Sequence, residues 1–317
     1  MKKVLITGGT GTVGSAFIQK YYNEYQFFSL SRGEEHIAEL KSKYPKVTTL
    51  IRDICDLDQL VNTFESIKPD IVIHAAALKH VNLAEINPSK AVEINLNGSL
   101  NVAKASVRAK VPLTVGISTD KACSPENVYG YTKKMMEQIF TEYHNLETKF
   151  VCTRFANVAG SRGSVIPFFK NLLVKNLPLK LTSVDMNRLM FSSEDAACLV
   201  HDAIDYSNKV KESFVLSKKM ESVNMLRLAK HMSENHYPSY NTPPDKLHPG
   251  IEIVGLRPGE KLNENLISNK ELPFTKLVGD LIFLFKDKQP ENLNLKESFS
   301  SKNATPISDS NLKKLYA

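Results

Sequence analysis

The chain lacks residues and patterns that mark several large classes of protein. Its 317 residues include no tryptophan, and the four cysteines, which form no CxxC pair, are Cys55, Cys123, Cys152 and Cys198. Cysteines so far apart exclude a disulfide framework and a cysteine-based zinc site, and they are typical of free thiols in a reducing compartment. We therefore expect no metal site.

Long apolar runs are also missing. The two richest segments, residues 70–78 and 277–285, have the length of strands and contain polar residues. A membrane-spanning helix needs about 18 consecutive apolar residues. The apolar stretch that follows Lys3 is too short for a signal peptide, and no cleavage-like sequence comes after it. We expect a cytoplasmic protein with no membrane partner.

A clustered basic surface is absent as well, although the formal net charge is +7. The lysines and arginines are spread along the chain, which disfavours a nucleic-acid interface. Anionic small-molecule ligands account for the positive charge at least as well.

Short β-rich runs alternate with helical stretches through the first half of the chain. The predicted strands are residues 3–7, 27–30, 47–51, 71–73, 113–117 and 150–155. Predicted helices include residues 15–24 and 89–110. This alternation indicates an α/β fold with a doubly wound parallel sheet that helices cover on both faces.

The pattern loosens after about residue 160, where prolines interrupt it at Pro178, Pro238, Pro243, Pro244 and Pro249. We predict a nucleotide-binding domain over residues 1–160, completed by strands from later segments. A smaller C-terminal lobe, residues 161–286, would bind the substrate. Residues 287–317 are polar and are predicted to form a loosely attached tail.

A glycine-rich turn follows the first strand. Gly8, Gly11 and Gly14 form a GxxGxxG pattern that leads directly into a helix. Such a turn lets the backbone approach a pyrophosphate, and the helix N-terminus offers unpaired N–H groups to the anion. The pattern predicts a Rossmann fold and a dinucleotide, and the other candidate contacts in this turn are Thr10, Thr12 and Val13.

The end of the second strand bears on which dinucleotide is bound. NAD enzymes usually place an acidic residue here, for the ribose 2′-hydroxyl. This chain has Ser31 and Arg32, which suit the 2′-phosphate of NADP; a solvated arginine is the alternative. Asp53, followed by Ile54, comes after the third strand and is either an adenine ligand or an ordinary turn residue.

The candidate catalytic residues follow the fifth strand. Thr119, Asp120 and Lys121 stand at its carboxyl end, where open α/β sheets place their active sites. Tyr129 and Lys133 form a YxxxK pair on one face of the next helix. Because a free tyrosine has a pKa of about 10, it needs a nearby cation to act as a base at neutral pH. The alternatives are a surface ion pair and an exposed helix pair.

Taken in order, these motifs resemble a known family. The matching stretches are the glycine turn, residues 74–81 (HAAALKHV), 118–122 (STDKA), the YxxxK pair, 161–167 (SRGSVIP) and 255–261 (GLRPGEK). They look like the polysaccharide-biosynthesis branch of extended short-chain dehydrogenases/reductases over about residues 3 to 270. The best-known members of that branch are UDP-N-acetylglucosamine 4,6-dehydratases that invert carbon 5. The resemblance implies further cofactor contacts from Ala75, Ala76, Ala77 and Lys79, and from Tyr129 and Lys133.

The resemblance also implies a mechanism. Tyr129, assisted by Lys133, would take the proton of the sugar 4-hydroxyl while NADP receives hydride from carbon 4. Lys121 would remove the carbon 5 proton as a base, and Asp120 would protonate the departing 6-hydroxyl as an acid. Hydride would then return to carbon 6, with inversion at carbon 5 and no net redox change.

The same resemblance implies a UDP-sugar site in the second lobe. Its candidate residues are Lys79, Asn157, Ser164, Val165, Ile166, Arg188, Arg257 and Glu260. Arg257 would hold the diphosphate, with Arg188 as a second phosphate candidate, and Glu260 would bind the uridine ribose. Members of the family are often oligomeric, so we expect a homo-oligomer.

Three alternatives remain open at this stage. A UDP-hexose 4-epimerase uses the same tyrosine and lysine, but it needs neither Asp120 nor Lys121 for loss of water. A dehydratase could act on another UDP-sugar, such as UDP-glucose. A non-catalytic NADP-binding sensor on the same fold would not bring Tyr129, Lys133 and Asp120 together.

Overall fold

A computed structural model describes residues 1–236, 250–286 and 295–316. Its strands are β1 (Lys3–Thr7), β2 (Gln26–Ser31), β3 (Thr48–Ile51), β4 (Ile71–His74), β5 (Leu113–Thr119), β6 (Lys149–Phe155), β7 (Asn157–Val158), β8 (Leu179–Leu181), β9 (Asn187–Phe191), β10 (Val215–Lys218), β11 (Glu221–Asn224), β12 (Ile251–Ile253), β13 (Asn265–Ile267), β14 (Thr275–Val278), β15 (Leu281–Leu284) and β16 (Phe299–Ser300).

The α-helices alternate with these strands in the first half of the chain. They are α1 (Thr12–Tyr21), α2 (Glu34–Lys43), α3 (Leu57–Ile67), α4 (Val81–Ile86), α5 (Pro88–Ala91), α6 (Gly98–Arg108), α7 (Val128–Tyr143), α8 (Val165–Val174), α9 (Ser193–Ser207), α10 (Met225–His236) and α11 (Asp309–Tyr316). A π-helical segment (Val92–Asn97) joins α5 to α6, and a 3-10 turn (Asp120–Ala122) follows β5.

The large sheet has nine strands in the order β14-β15-β10-β6-β5-β4-β1-β2-β3. The seven strands from β10 to β3 in this order run parallel, and β15 and β14 pair antiparallel at the other edge. The chain moves outward from β1 to β2 and β3, then crosses to β4 on the opposite side of β1. This reversal opens a crevice at the carboxyl ends of β1 and β4, where such folds bind ligands.

Alternating side chains place the core on both faces of the sheet. In β1, Val4 and Ile6 are fully buried in a cluster with residues of α1 and α9, and Leu5 is fully buried in another with α3, α6 and α7. Because successive side chains of a strand point to opposite faces, a central strand covered on both faces is apolar throughout. The predicted Rossmann α/β fold is confirmed.

The predicted elements differ from the observed ones mainly at helix boundaries. The first helix begins at Thr12 rather than residue 15 and ends at Tyr21, because the glycine turn passes directly into the helix. The predicted helix 89–110 consists of α5, the π-helical segment and α6. Pro178 separates α8 from β8, whereas Pro238, Pro243, Pro244 and Pro249 lie outside the described residues.

The second lobe contains the small sheets β11-β9-β7, β12-β8 and β13-β16, together with α8, α10 and α11. Part of the predicted loose tail belongs to it, and that prediction is wrong for residues 295–316. There β16 pairs with β13, and Leu312 of α11 is fully buried in the core of the lobe. The polar composition of this segment gave no indication of the amphipathic helix α11. Within the described ranges, no helix combines the length and apolarity needed to cross a membrane.

Candidate active site

A cavity of about 570 Å³ lies at the carboxyl ends of the central strands. This volume is in the usual range for small-molecule sites, about 300–1,000 Å³. All sixteen residues predicted to bind the cofactor line it: Gly8, Thr10, Gly11, Thr12, Val13, Gly14, Ser31, Arg32, Asp53, Ile54, Ala75, Ala76, Ala77, Lys79, Tyr129 and Lys133. The fold therefore brings together residues that are up to 125 positions apart in the sequence.

The glycine turn has the geometry of an anion site. Gly8 has φ +73°, and a Cβ there would lie 2.8 Å from the backbone of Ala76, so only glycine fits. Gly11 is the N-cap of α1 and has no side chain with which to bond the first N–H groups of the helix. Those groups and the helix dipole remain available to a phosphate.

Ser31, Arg32 and Asp53 form the far wall of the cavity. The Ser31 hydroxyl accepts a hydrogen bond from the Thr10 hydroxyl at 3.1 Å, which joins the end of β2 to the glycine turn. Arg32 Nη1 lies 3.6 Å from Asp53 Oδ2, and both side chains are exposed. Hydrogen bonds from Cys55 and the charge of Arg32 outweigh partial burial and keep the pKa of Asp53 low.

Thr119, Asp120 and Lys121 are joined by hydrogen bonds at the end of β5. Asp120 Oδ1 accepts hydrogen bonds from Thr119 Oγ1 at 2.9 Å and from Lys121 Nζ at 3.0 Å. Asp120 is fully buried, and its Oδ2 has no hydrogen-bond partner in the part of the chain that the structure describes. Thr119 and Lys121 reach the cavity, so they connect this buried carboxyl to it.

Tyr129 and Lys133 both line the cavity, but the predicted pairing of ammonium and phenol is not seen among the described residues. Lys133 Nζ lies 3.4 Å from Met136 Sδ, and burial lowers its pKa to about 8. Burial and the charge of Asp120 raise the pKa of Tyr129, which a hydrogen bond with Thr119 partly offsets. The i,i+4 spacing places Tyr129 and Lys133 on one face of the helix. The direction of the long Lys133 side chain depends instead on the residues packed around it.

Helix α7 is held directly against the turn that carries Asp120 and Lys121. A Cβ on Gly130 would lie 2.3 Å from the Lys121 carbonyl oxygen, so the two backbones touch and no side chain fits between them. The Asn127 side chain caps α7 by accepting from Gly130 N at 2.8 Å. Its amide also donates to Gly259 O at 3.1 Å, which links α7 to the second lobe.

A buried ion-pair network, which the sequence did not reveal, lies behind these residues. Arg154 of β6 donates to both oxygens of Glu137 in α7 at 3.0 and 2.8 Å. It also donates to Glu271 at 3.1 and 3.0 Å, and Glu137 accepts from Ser118 at 2.6 Å. One arginine thus connects the end of β5, helix α7 and the turn that precedes β14.

The predicted substrate residues are more dispersed. Lys79 and Asn157 line the cavity, whereas Ile166 is buried in the core of the second lobe. Ser164 and Val165 begin α8, and Ser164 Oγ is buried with no hydrogen-bond partner among the described residues.

Arg188 and the 255–261 turn form a separate group. Arg188 is buried, and its guanidinium donates to the carbonyls of Lys261 and Leu262 at 2.8 and 3.1 Å. Arg257 is exposed, and its backbone N–H donates to Glu260 at 3.3 Å.

Glu264 was also missed. It is 2% exposed, and its Oε1 lies 3.9 Å from Lys121 Nζ. No local pattern distinguishes it, because the contact arises only when β13 packs on the 3-10 turn after β5.

Comparison with known proteins bears out the resemblance of the motifs. A family model described as polysaccharide biosynthesis protein matches residues 4–284. The chain belongs to this family. An inverting UDP-N-acetylglucosamine 4,6-dehydratase from Campylobacter jejuni is 34% identical over 86% of this chain and 80% of its own length. The predicted similarity to that enzyme is confirmed.

Other relatives in the family carry different descriptions. An uncharacterized membrane protein of Methanocaldococcus jannaschii is 36% identical over 99% of this chain and 95% of its own length. A UDP-glucose 4-epimerase of Rickettsia bellii is 31% identical over 88% and 81%. The X-ray structure of Pen from Bacillus thuringiensis superposes with a TM-score of 0.90 at 32% identity, over 99% of this chain and 96% of that one.

Proposed function

We propose that the chain binds NADP and dehydrates UDP-N-acetylglucosamine at carbons 4 and 6, with inversion at carbon 5. The cofactor fits the residues present, because the glycine turn admits a phosphate and the free first turn of α1 faces it. Arg32, exposed at the cavity wall, supplies a guanidinium for a 2′-phosphate. NADP, when bound, would supply reversible hydride transfer with carbons 4 and 6 of the sugar.

The residues around the cavity divide the proton transfers among them. Tyr129 takes the proton of the sugar 4-hydroxyl, and Thr119 lies beside it. Lys133, whose pKa is lowered to about 8, is still mostly protonated near neutral pH and supplies positive charge in the cavity wall. Lys121 then removes the carbon 5 proton, which the 4-ketone has made acidic, and Asp120 provides the proton that leaves with the 6-hydroxyl as water.

The buried Asp120–Lys121 pair is the observation that carries this proposal. The Oδ2 atom of Asp120 is buried and has no hydrogen-bond partner among the described residues. Burial of such an atom destabilises the fold unless a proton or a ligand atom satisfies it. Elimination of water requires an acid and a base side by side, whereas interconversion at carbon 4 requires neither. A carboxyl and an amine 3.0 Å apart, connected to the cavity, meet that requirement.

UDP-N-acetylglucosamine is the substrate of the Campylobacter relative by its name. We propose that Lys79 and Asn157 contact the sugar nucleotide in the cavity and that Ser164 and Val165 contact it at the start of α8. Ile166 would contribute through its backbone, since its side chain is in the core. Arg257 would hold the diphosphate and Glu260 the ribose, while Arg188 supports their loop through its carbonyls.

A UDP-hexose 4-epimerase is the second candidate, since the Rickettsia relative is so named. The experiment is to incubate the purified protein with UDP-N-acetylglucosamine in deuterated water and follow it by proton NMR. The proposal expects a 4-keto-6-deoxy product with deuterium at carbon 5 and an inverted coupling pattern. Survival of the 6-hydroxymethyl group with interconversion at carbon 4 would establish the epimerase instead. UDP-glucose, tested in parallel, examines the choice of sugar.

We also propose a homo-oligomer. Helix α4 packs on α7, and this face exposes five apolar side chains: Leu83, Ile86, Val92, Tyr131 and Met135. Exposed apolar clusters of this kind mark protein interfaces. Light scattering should give more than one chain per particle, and Met135→Glu should reduce that number. The cytoplasmic location remains a prediction from the sequence.

A further inference from the structure

Lys121 lies between two carboxyl groups. Its Nζ is 3.0 Å from Asp120 Oδ1 and 3.9 Å from Glu264 Oε1. The lysine side chain is 17% exposed, whereas the carboxyl side chains are 0% and 3% exposed. Charges buried this far are strongly coupled, because little water screens them.

The position of Glu264 does not depend on its side chain. Its backbone N–H donates to Ser301 Oγ at 3.0 Å, and its carbonyl accepts from Ser301 N at 2.9 Å. The carboxyl is therefore held beside Lys121 by backbone contacts within the second lobe. A change of its charge alone should leave the fold in place.

Four charged groups influence the Glu264 carboxyl. Burial raises the pKa of Glu264 most, Lys121 lowers it, Asp120 raises it, and Arg188 and Lys261 lower it, so that the net pKa is raised. The negative charge of Glu264 is thus favoured when Lys121 is an ammonium and Asp120 is neutral. In the proposed elimination, Lys121 and Asp120 have these charges after the carbon 5 proton is removed and before water leaves.

We propose that Glu264 is a positioning residue of the reaction, the counter-anion that stabilises the Lys121 ammonium while Asp120 is still a neutral acid. The inference rests on the proposed dehydration. It adds a third charged group, contributed by the second lobe, to the Asp120–Lys121 pair.

The charges balance through two proton transfers. In the first, the carbon 5–hydrogen bond breaks, the proton forms an N–H bond on Lys121, and the electron pair enters the enolate of the 4-ketone. In the second, the enolate electron pair forms the carbon 5–carbon 6 double bond and the 4-ketone is restored. The carbon 6–oxygen bond breaks with its electron pair on oxygen, which takes the Asp120 proton and leaves as water. Between the two proton transfers Asp120 is neutral and does not stabilise the Lys121 ammonium by charge. Glu264 is then the carboxylate near the ammonium, with its Oε1 3.9 Å from Lys121 Nζ.

The test is Glu264→Gln, which keeps the shape and removes the charge. Deuterium exchange at carbon 5 is measured against pH, and hydride transfer from carbon 4 is measured separately by the near-ultraviolet absorbance of the reduced nicotinamide. We expect exchange to slow by about tenfold, since 1.4 kcal/mol is one factor of ten. The acid limb of its pH profile should move to lower pH, because removal of the neighbouring negative charge makes an ammonium less favourable. Hydride transfer should be retained.

Two further variants complete the design. Glu264→Asp keeps the charge and should recover part of the exchange rate, and Glu252→Gln neutralises an exposed glutamate of the same lobe and should change nothing. An unchanged acid limb in Glu264→Gln would overturn the inference, as would equal losses of exchange and hydride transfer. If the wild-type protein turns over its substrate without exchange at carbon 5, the proposed function fails instead.

Discussion

Arg154 and Glu137 join the sheet to helix α7 by two parallel hydrogen bonds in the interior of the protein. Arg154 is fully buried, and its Nε and Nη2 lie 3.0 and 2.8 Å from the two oxygens of Glu137. Glu137 is four residues after Lys133, on the same face of α7. The direction of the helix, and hence of Tyr129 and Lys133, is fixed by an ion pair that does not reach the cavity.

Replacing this arginine should destabilise the fold. Arg154→Met would leave Glu137 and Glu271 buried without their partner, and breaking a buried pair costs about 3–5 kcal/mol. Lys20→Met, which breaks the more exposed pair with Glu194, should cost less than about 1 kcal/mol. Urea unfolding of both variants measures the difference. Equal, small losses would show that the network contributes little to stability.

The buried His74 should make stability depend on pH. It lies between Thr7 and Ser99, 2.7 and 2.9 Å away, and burial lowers its pKa to about 3. Below pH 6.5 the unfolded chain binds a proton that the folded chain does not, so stability falls as pH decreases from 6.5 toward 3. His74→Gln lacks this effect, so the gap in unfolding free energy between wild type and variant should narrow by about 2 kcal/mol from pH 7.5 to pH 5. A constant gap would contradict the lowered pKa.

Loss of the Tyr129 hydroxyl should stop the chemistry without loss of cofactor. Tyr129→Phe removes the proposed base, and such groups contribute about 10²–10⁴-fold to the rate. Product formation by NMR should fall by that factor, while cofactor binding, measured by fluorescence, stays near the wild-type value. Tyr143→Phe, at the far end of the same helix, is the matched control. Similar rates in the two variants would remove Tyr129 from the mechanism.

Arg32 should set the choice of dinucleotide. Arg32→Ala removes the proposed partner of the 2′-phosphate, and a hydrogen bond to a charged group contributes about 1.5–3 kcal/mol. We therefore expect calorimetric titration to give an affinity for NADP at least about tenfold weaker. Affinity for NAD, measured in the same way, is the internal control and should change little. Equal losses for both would mean that Arg32 acts on the fold or on the ion pair with Asp53.

The last helix should contribute to stability. Leu312→Ala would open a cavity between α11 and α10, at a cost of about 2–5 kcal/mol in unfolding free energy. Lys313→Ala, at an exposed position one residue later, should change that free energy by less than about 0.5 kcal/mol. Indistinguishable unfolding curves for the two variants would support the loosely attached tail that the composition predicts.

The parts of the molecule that local sequence determines could be predicted. A continuous apolar run such as that of β1 identifies a doubly covered strand, and three glycines after it identify the turn. Thr119 and Lys121 follow one strand end, so their place at the cavity edge needed only the topology rule for open sheets.

The rest could not be predicted, because it depends on contacts between distant segments. Glu264 lies near Lys121 only because β13 packs beside the 3-10 turn after β5. Arg154 bonds to Glu137 only because α7 packs on β6. The direction of Lys133 was missed for a related reason, since a flexible four-carbon chain follows its local packing. Leu312 was not predicted to be buried, because serines and asparagines surround it in the sequence.

The contact between Gly130 and the Lys121 carbonyl has a consequence for how such proteins diverge. Two main chains in van der Waals contact set the spacing of Tyr129 from Asp120 and Lys121, so a side chain at position 130 would force them apart. That spacing therefore depends on glycine at position 130, and substitutions elsewhere that keep the two main chains in contact leave it unchanged.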